Sequence, residues 1–523
     1  MRNENLSERI AQTAKTVFGI ESLYPEQIEI ISSIIESSKN RICILPTGRG
    51  KTFCFVIPAL MLDGITIVVY PLLALMSDQK RRLDSYNISS ALFRGGQTPD
   101  ERQRQLCDLQ NGKIKIVLTN PETLLSRYLT NELVKCRISH FVIDEAHCVF
   151  DWGTTFRASY LSLKNIIEKL KPDSVTAFTA TASALVKDEL QKLLFTDPAE
   201  VYQASSDRAN IHYTVIPCAA KKKKVAELVL TEKKPLLIFC GTHANTESLG
   251  YFLFSFLNDE NVRFYHAGLE KQEKTVVEEW FFNSSDGVLV STCAYGMGVD
   301  KKNIRTVIHY DVPSSAEAYL QEAGRAGRDG GQSKAILLYS PDDLEQIAKS
   351  DDERRKFFEK YIKIKGCRRK LLLQAMDETK VPDICSGCDI CDGNAVFEHR
   401  DLKKAEKLYN KFKYTYSGNA LCQFICDNFN TDSLREFNVK IWEIPDIRQM
   451  IRILEKNANL SKKARMILQL PALRKILPPA FPGQQVLERL RFFSSLNASA
   501  VFYGIWKYMK QKINIKLSRQ HKK

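Results

Sequence analysis

No apolar run in this 523-residue chain approaches the roughly 20 residues that a membrane-spanning helix requires, which excludes such a helix. The opening Met1-Arg-Asn-Glu-Asn leads into polar, helix-like sequence without the apolar core of a secretory signal, and an intracellular protein is expected. No internal repeat is found. A disulfide framework is lacking too. Of the 14 cysteines most stand alone in apolar runs, as Cys43, Cys54, Cys240 and Cys293 do, where a thiol is a small core side chain. Basic excess is missing from the first 400 residues, which hold 52 Lys/Arg and 52 Asp/Glu. The net charge of +15 therefore falls between Asp401 and Lys523, with 24 basic residues against 9 acidic. A polyanion gripped by that segment is one explanation, and plain solubility the other.

What is present is an alternation of short apolar runs with helical patterns, in a chain long enough for three or four domains. Strands are predicted at Arg41–Leu45, Thr66–Tyr70, Lys115–Thr119, Phe141–Asp144 and Val175–Phe178. The scheme repeats from Ile211, with strands at Leu236–Cys240, Arg263–His266, Val288–Ser291, Thr306–Tyr310 and Lys334–Tyr339. Short apolar strands separated by helices imply parallel sheets covered on both faces, and two such units in tandem should form a cleft. Residues 341–365 are charged and helical in pattern, 366–393 are rich in cysteine, and the rest reads as helices broken by Pro471, Pro478, Pro479 and Pro482.

The apolar run His140–Ile143 ends in adjacent carboxylates, which is what an NTPase needs. Asp144 can hold Mg²⁺, and Glu145 can orient and deprotonate a water. Phe150, Trp152, Phe156 and Tyr160 then crowd one loop around Arg157. Trp152, Phe156 and Arg157 suit a platform for unpaired bases, although a buried aromatic turn reads the same way. Upstream, Leu45-Pro-Thr-Gly-Arg-Gly-Lys-Thr52 follows the first strand and opens a helix. Thr47, Gly48, Arg49 and Gly50 would wrap phosphates with backbone amides, Lys51 would reach the β/γ oxygens, and Thr52 would ligate Mg²⁺. The strict phosphate-loop pattern has a glycine where Leu45 stands.

Cys367, Cys385, Cys388 and Cys391 read C-x₁₇-C-x₂-C-x₂-C. Four such thiolates can surround one tetrahedral Zn²⁺; two disulfides or an iron–sulfur cluster use the same residues. Arg368 and Arg369, with Lys370, are expected to start a helix that faces duplex phosphate. Cys422 and Cys426, one helical turn apart, read as core thiols. Lys507, Lys510, Lys512, Lys516 and Arg519, interleaved with Trp506 and Tyr508, suit a nucleic-acid contact, an import signal or a solvated tail.

Taken together, Pro46–Thr52, Tyr70–Gln79, Asp144-Glu-Ala-His147, Phe178-Thr-Ala-Thr-Ala182 and Gln321-Glu-Ala-Gly-Arg-Ala-Gly-Arg-Asp-Gly330 resemble a superfamily 2 helicase. Residues 152–160, Tyr265-His-Ala-Gly-Leu269, Gly296-Met-Gly-Val-Asp300 and the cysteine cluster resemble, more closely, the RecQ family of DNA helicases, over roughly residues 15 to 393. The resemblance implies an α/β fold of two tandem RecA-like parallel-sheet domains, a small zinc-binding module and a mainly helical C-terminal domain. Boundaries are expected at 1–200, 201–345, 346–400 and 401–523. It implies that Gln27 reads the adenine edge and Asp300 contacts the ribose, and that His147, Thr179 and Thr181 link nucleotide state to the domain interface. Gln321, Arg325 and Arg328 would close over the γ-phosphate, where a guanidinium brought across a cleft contributes about 10³–10⁵ in rate. In this family the cysteine pattern holds structural zinc.

The chain also departs from that pattern. Tyr24 replaces an arginine before the adenine-motif proline, and Ile20 replaces an aromatic residue, which predicts weaker adenine selectivity. Phe150-Asp151 and Thr154-Thr155 replace polar residues that relay DNA contact to the ATP site. The expected activity is ATP-dependent unwinding of single-stranded and forked DNA in the 3′→5′ direction, in repair and recombination, with ATP, Mg²⁺ and Zn²⁺ as cofactors. A monomer is expected, nuclear in a eukaryote and otherwise cytoplasmic. An ATP-switched nucleic-acid-binding or annealing protein is the alternative.

Overall fold

The computed structural model describes residues 2–46, 48–149, 158–257, 261–295, 301–378, 382–416 and 418–468. Runs such as Ile65-Thr-Ile-Val-Val69 are buried at every position, because β-branched side chains pack on both faces of a sheet that helices cover. Seven strands build the first sheet: β1 (Arg41–Ile44), β2 (Ile65–Val69), β3 (Ser90–Leu92), β4 (Ile116–Thr119), β5 (Ile138–Ile143), β6 (Val175–Thr179) and β7 (Glu200–Gln203). Their order is β3-β4-β2-β5-β6-β1-β7, and every described pairing is parallel.

The second sheet contains β8 (Ile211–Pro217), β9 (Leu236–Phe239), β10 (Val262–Tyr265), β11 (Val288–Ser291), β12 (Thr306–His309) and β13 (Ser333–Tyr339). It runs β10-β11-β9-β12-β13-β8, again with parallel pairs. Two parallel-sheet lobes are therefore present. β8 lies at an edge and alternates buried with half-buried residues. The cysteine segment docks there: Asp389 N–H donates to the Tyr213 carbonyl at 3.0 Å, and Tyr213 bridges Cys388. Phe358, Tyr361, Leu371, Leu372 and Met376 extend the second lobe's core into this module.

Residues up to His399 form one compact unit and those from Arg400 a second. The second unit's described part is three helices, Arg400–Phe412, Gly418–Phe437 and Ile444–Leu468. Cys422 and Cys426 are buried in it beside Phe429, whose ring meets Trp442 edge-on at 4.5 Å. Asn430 closes this core by bonding both the N–H and the carbonyl of Trp442, at 2.8 and 2.9 Å. Among the described residues no helix is long and apolar enough to cross a membrane.

Candidate functional site

β1 delivers the phosphate loop. Leu45 stays in the sheet, its N–H bonded to the Thr179 carbonyl at 2.9 Å and its side chain wholly buried, so a core residue occupies the position of the usual first glycine. The chain then turns through Gly48 (φ +84°) and Gly50 (φ +66°) before the helix Lys51–Met61. Both angles are left-handed, and a Cβ on Gly50 would meet the Gln27 amide nitrogen at 2.7 Å. Gln27 is buried and spans this turn, donating to the carbonyls of Arg49 (2.9 Å) and Gly50 (3.2 Å) while accepting from Tyr24 N–H (2.8 Å). The Arg49 guanidinium lies 4.6 Å over the Tyr24 ring and 3.6 Å from Glu26.

β5 ends where β1 ends, which sets Asp144 and Glu145 against Lys51. The lysine ammonium is 2.9 Å from Glu145 Oε1 and 3.8 Å from Asp144 Oδ1. Glu145 holds a left-handed backbone (φ +49°), strain a non-glycine residue accepts only when its surroundings fix it. Burial pushes Asp144 up to about 6, with Glu145 adding to the rise and Lys51 opposing it. Burial also acts to raise Glu145, but Lys51, His147 and Arg325 outweigh it and hold this carboxyl below its ordinary value. His147 Nδ1 lies 3.1 Å from the Thr179 hydroxyl, which donates to the Thr181 carbonyl at 3.0 Å, so the ends of β5 and β6 are tied together.

A cavity of ≈ 560 Å³ opens over these groups. Gly48, Gly50, Lys51, Thr52, Asp144 and Glu145 line it from the first lobe, and Gln321, Arg325 and Arg328 from the second. Gln321 comes from the helix Ala316–Ala323, with Arg325 and Arg328 just beyond it. Burial, with Arg328 beside it, lowers Arg325 to about 10 against the opposing pull of Glu322, Tyr295 and Glu145. The carboxylates of Asp144 and Glu145 and the cations thus face one space. The donor set fits a magnesium–triphosphate: two carboxylates and a hydroxyl for a hard cation, with ammonium and guanidinium groups for phosphate oxygens.

The Sγ atoms of Cys367, Cys385, Cys388 and Cys391 all lie within 4.8 Å of one another. Zn–S bonds of about 2.3 Å in a tetrahedron would set the sulfurs about 3.8 Å apart, which that span allows. Lys370 N–H donates to Cys367 Sγ and Gly387 N–H to Cys385 Sγ, both at 3.4 Å. Burial opposes ionisation of Cys388, but the amides of Cys391 and Arg368 turn its net shift downward, while burial and the neighbouring thiols raise Cys385 and Cys391.

Residues 24–189 match the DEAD/DEAH box helicase family, and residues 220–330 the helicase conserved C-terminal domain. The "ATP-dependent DNA helicase RecQ" of Pasteurella multocida (strain Pm70) is 32% identical over 399 residues, 74% of this chain. The "Probable ATP-dependent DNA helicase RecS" of Bacillus subtilis (strain 168) is 37% identical over 340 residues, 64% of this chain and 68% of that protein. The chain belongs to the RecQ family. It spans 62% of the length of the P. multocida relative and 65% of the B. subtilis RecQ. The fold is similar to that of the DUF1998 helicase MrfA bound to DNA and AMPPNP, with TM-score 0.54 and 24% identity, covering 65% of this chain and 51% of that one.

Not every expected site residue of this RecQ-family chain takes the place foreseen. Thr47, Trp152, Phe156, Arg157 and Asp300 lie outside the described residues, as do residues 507–519. Gln27 is turned onto the phosphate loop and does not line the cavity. Arg368 and Arg369 do not face phosphate: both are buried. Arg368 donates to Asp389 at 2.5 Å and to the Tyr361 carbonyl at 2.6 Å. Arg369 pairs with Asp207 and donates to the carbonyls of Arg208 and Ile211. The residues following a zinc-type ligand point inward here, and their charge is met by carboxylates rather than solvent. Conversely, Arg82, Lys302 and Asp329 line the cavity without having been singled out. Arg82 was within reach, since Leu75, Asp78, Gln79 and Arg82 follow helical spacing within Leu73–Ser85. Asp329 stands inside the Gln321–Gly330 motif, whereas Lys302 carries no local signal.

Proposed function

We propose that this RecQ-family chain is an ATP-dependent DNA helicase that translocates 3′→5′ on single-stranded DNA and opens forked duplexes. The observation that carries this reading is the meeting of Lys51, Asp144 and Glu145 with Gln321, Arg325 and Arg328 around one cavity. When bound, magnesium would neutralise charge on the β/γ oxygens, held by Thr52 and Asp144. Lys51 exchanges its carboxylate contacts for phosphate oxygens as nucleotide enters. Glu145, released by Lys51, takes the proton from an attacking water. Arg325 and Arg328 meet the charge that spreads over the γ oxygens, so hydrolysis requires the lobes to approach. Gln27 reads adenine only by releasing the carbonyls of Arg49 and Gly50, and Trp152, Phe156 and Arg157 engage unpaired bases. Zinc belongs at Cys367, Cys385, Cys388 and Cys391, where it ties the module together.

Unwinding of a forked DNA duplex, with and without ATP, tests the reading. The wild type should separate strands only with ATP, and Lys51→Ala should lose both turnover and separation. DNA-stimulated hydrolysis without separation would support the ATP-switched alternative instead. Stimulation by RNA in place of DNA would overturn the substrate. Metal analysis should return about one zinc per chain; stoichiometric iron would replace that assignment.

A further inference from the structure

Beyond the helix Ala316–Ala323 the chain turns through Gly324-Arg-Ala-Gly-Arg-Asp-Gly-Gly331, which carries both cavity-lining arginines. Carbonyls at a helix end have no partner within the helix. Here a group from another segment meets them. The Arg208 guanidinium donates to the carbonyls of Gly324 (3.1 Å), Ala326 (3.2 Å) and Gly327 (2.8 Å), so its planar fork spans the turn around Arg325. The Asn210 amide donates to the carbonyls of Gly327 (2.8 Å) and Gly331 (2.9 Å), on either side of Arg328. Its own carbonyl accepts from Ser333 N–H at 2.9 Å, which fixes Asn210 against β13. A Cβ on Gly327 would meet the Asn210 amide nitrogen at 2.5 Å, so the two segments touch without slack.

Arg208 and Asn210 precede β8, on the connection between the lobes. Earlier in that connection Ala204 N–H bonds the Ile44 carbonyl at 3.0 Å, at the end of the strand that delivers the phosphate loop. Burial, with the charges of Arg328 and Arg49 adding to it, holds the Arg208 guanidinium below its ordinary value against the pull of Tyr213 and Asp329. A residue that merely closed the turn would be redundant. Gly327 N–H already bonds the Ile304 carbonyl at 2.8 Å, Asp329 N–H the Lys302 carbonyl at 3.2 Å, and Arg305 donates to Asp329 Oδ1 at 2.9 Å. We propose that Arg208, with Asn210, is a positioning residue for hydrolysis, which sets Arg325 and Arg328 from the connection between the lobes. This role presupposes the ATP hydrolysis proposed above. A guanidinium meets transition-state charge only from the right place, and misplacement by about 1 Å can cost roughly 10²-fold.

ATP turnover and nucleotide affinity of the full chain test the assignment. Arg208→Gln should lower kcat about 10²-fold, while affinity for a fluorescent ATP analogue changes less than about 3-fold. In a chain already carrying Arg325→Ala and Arg328→Ala, followed in single turnovers, Arg208→Gln should cost less than about 3-fold more, because it acts through those two residues. Equal losses in both backgrounds would overturn the proposal, as would a kcat within about 3-fold of the wild type or a loss confined to KM. Melting temperature reveals a folding defect. Where Arg208→Gln does not fold, Asn210→Ala, which removes two bonds and no charge, should show the same split between kcat and affinity and the same non-additivity. Its absence there would also overturn the assignment. A wild type without ATP turnover would sink the proposed function together with this role, whereas an active wild type and an equally active Arg208→Gln would sink this role alone.

Discussion

Lys51 rests on carboxylates that its substrate's metal would otherwise occupy, so its ion pairs mark the place of a ligand. Arg328 has the complementary part, reaching the same space from the other lobe. Replacing Arg328 by Ala should cut ATP turnover about 10³-fold, while affinity for a fluorescent ATP analogue falls far less. Equal losses in both would mean that the guanidinium holds ground-state nucleotide. Such residues were legible because a few adjacent positions define them. Arg369 was not: a cation beside a clustered cysteine looks the same in sequence whether it meets phosphate or the partly buried Asp207. His140 was passed over as part of a strand. It is fully buried beside the Thr176 hydroxyl at 2.8 Å. Burial, with Arg41 adding to it, lowers its pKa to about 3. The unfolded chain therefore binds a proton that the folded chain refuses. Stability is full above the ordinary value near 6.5 and is lost as pH falls towards 3. Denaturation of wild type and His140→Gln at several pH values should show the wild type's advantage shrinking by roughly 1.4 kcal/mol per pH unit between about pH 6 and 4. A constant difference would exclude a neutral native imidazole.

At the scale of elements, fully buried strands declared themselves as continuous apolar runs. β3 and β7 escaped because a strand of three or four residues at a sheet edge has neither the length nor the apolar content to stand out. β8 escaped for another reason. Its alternation, with Ile211, Tyr213 and Val215 inward and His212 and Thr214 half-buried, signals one covered face, whereas a doubly covered sheet was expected. The uncovered edge is where the cysteine module attaches, through Asp389 and Arg369. Arg369→Ala would leave the partly exposed Asp207 without its cation and the carbonyls of Arg208 and Ile211 without this donor, at a cost of about 2 kcal/mol. A lower melting temperature with an unchanged salt slope of DNA binding is the expected result; the reverse would restore the phosphate contact.

Across the whole first unit, the chain passes from one lobe to the other between Gln203 and Ile211. Gln203 donates to the Met376 carbonyl at 2.9 Å, Ser205 and the Ser206 N–H bond Glu378 at 2.7 and 2.6 Å, and Arg369 holds Asp207, Arg208 and Ile211. From the first lobe, the Ile44 carbonyl accepts from Ala204 N–H at 3.0 Å, and Lys187 donates to the Gln203 side chain at 3.3 Å and pairs at 2.6 Å with the half-exposed Asp377. With Asp377 half-exposed to solvent, removing that pair costs little, within about 1 kcal/mol. Lys187→Ala should therefore leave the melting temperature nearly unchanged but speed hydrogen exchange of the amides at 201–206; unchanged exchange would show that Lys187 restrains nothing. The passage between the lobes is thus held by residues between 158 and 173 positions further along the chain. A change that loosens the cysteine module should therefore be felt where the two lobes join.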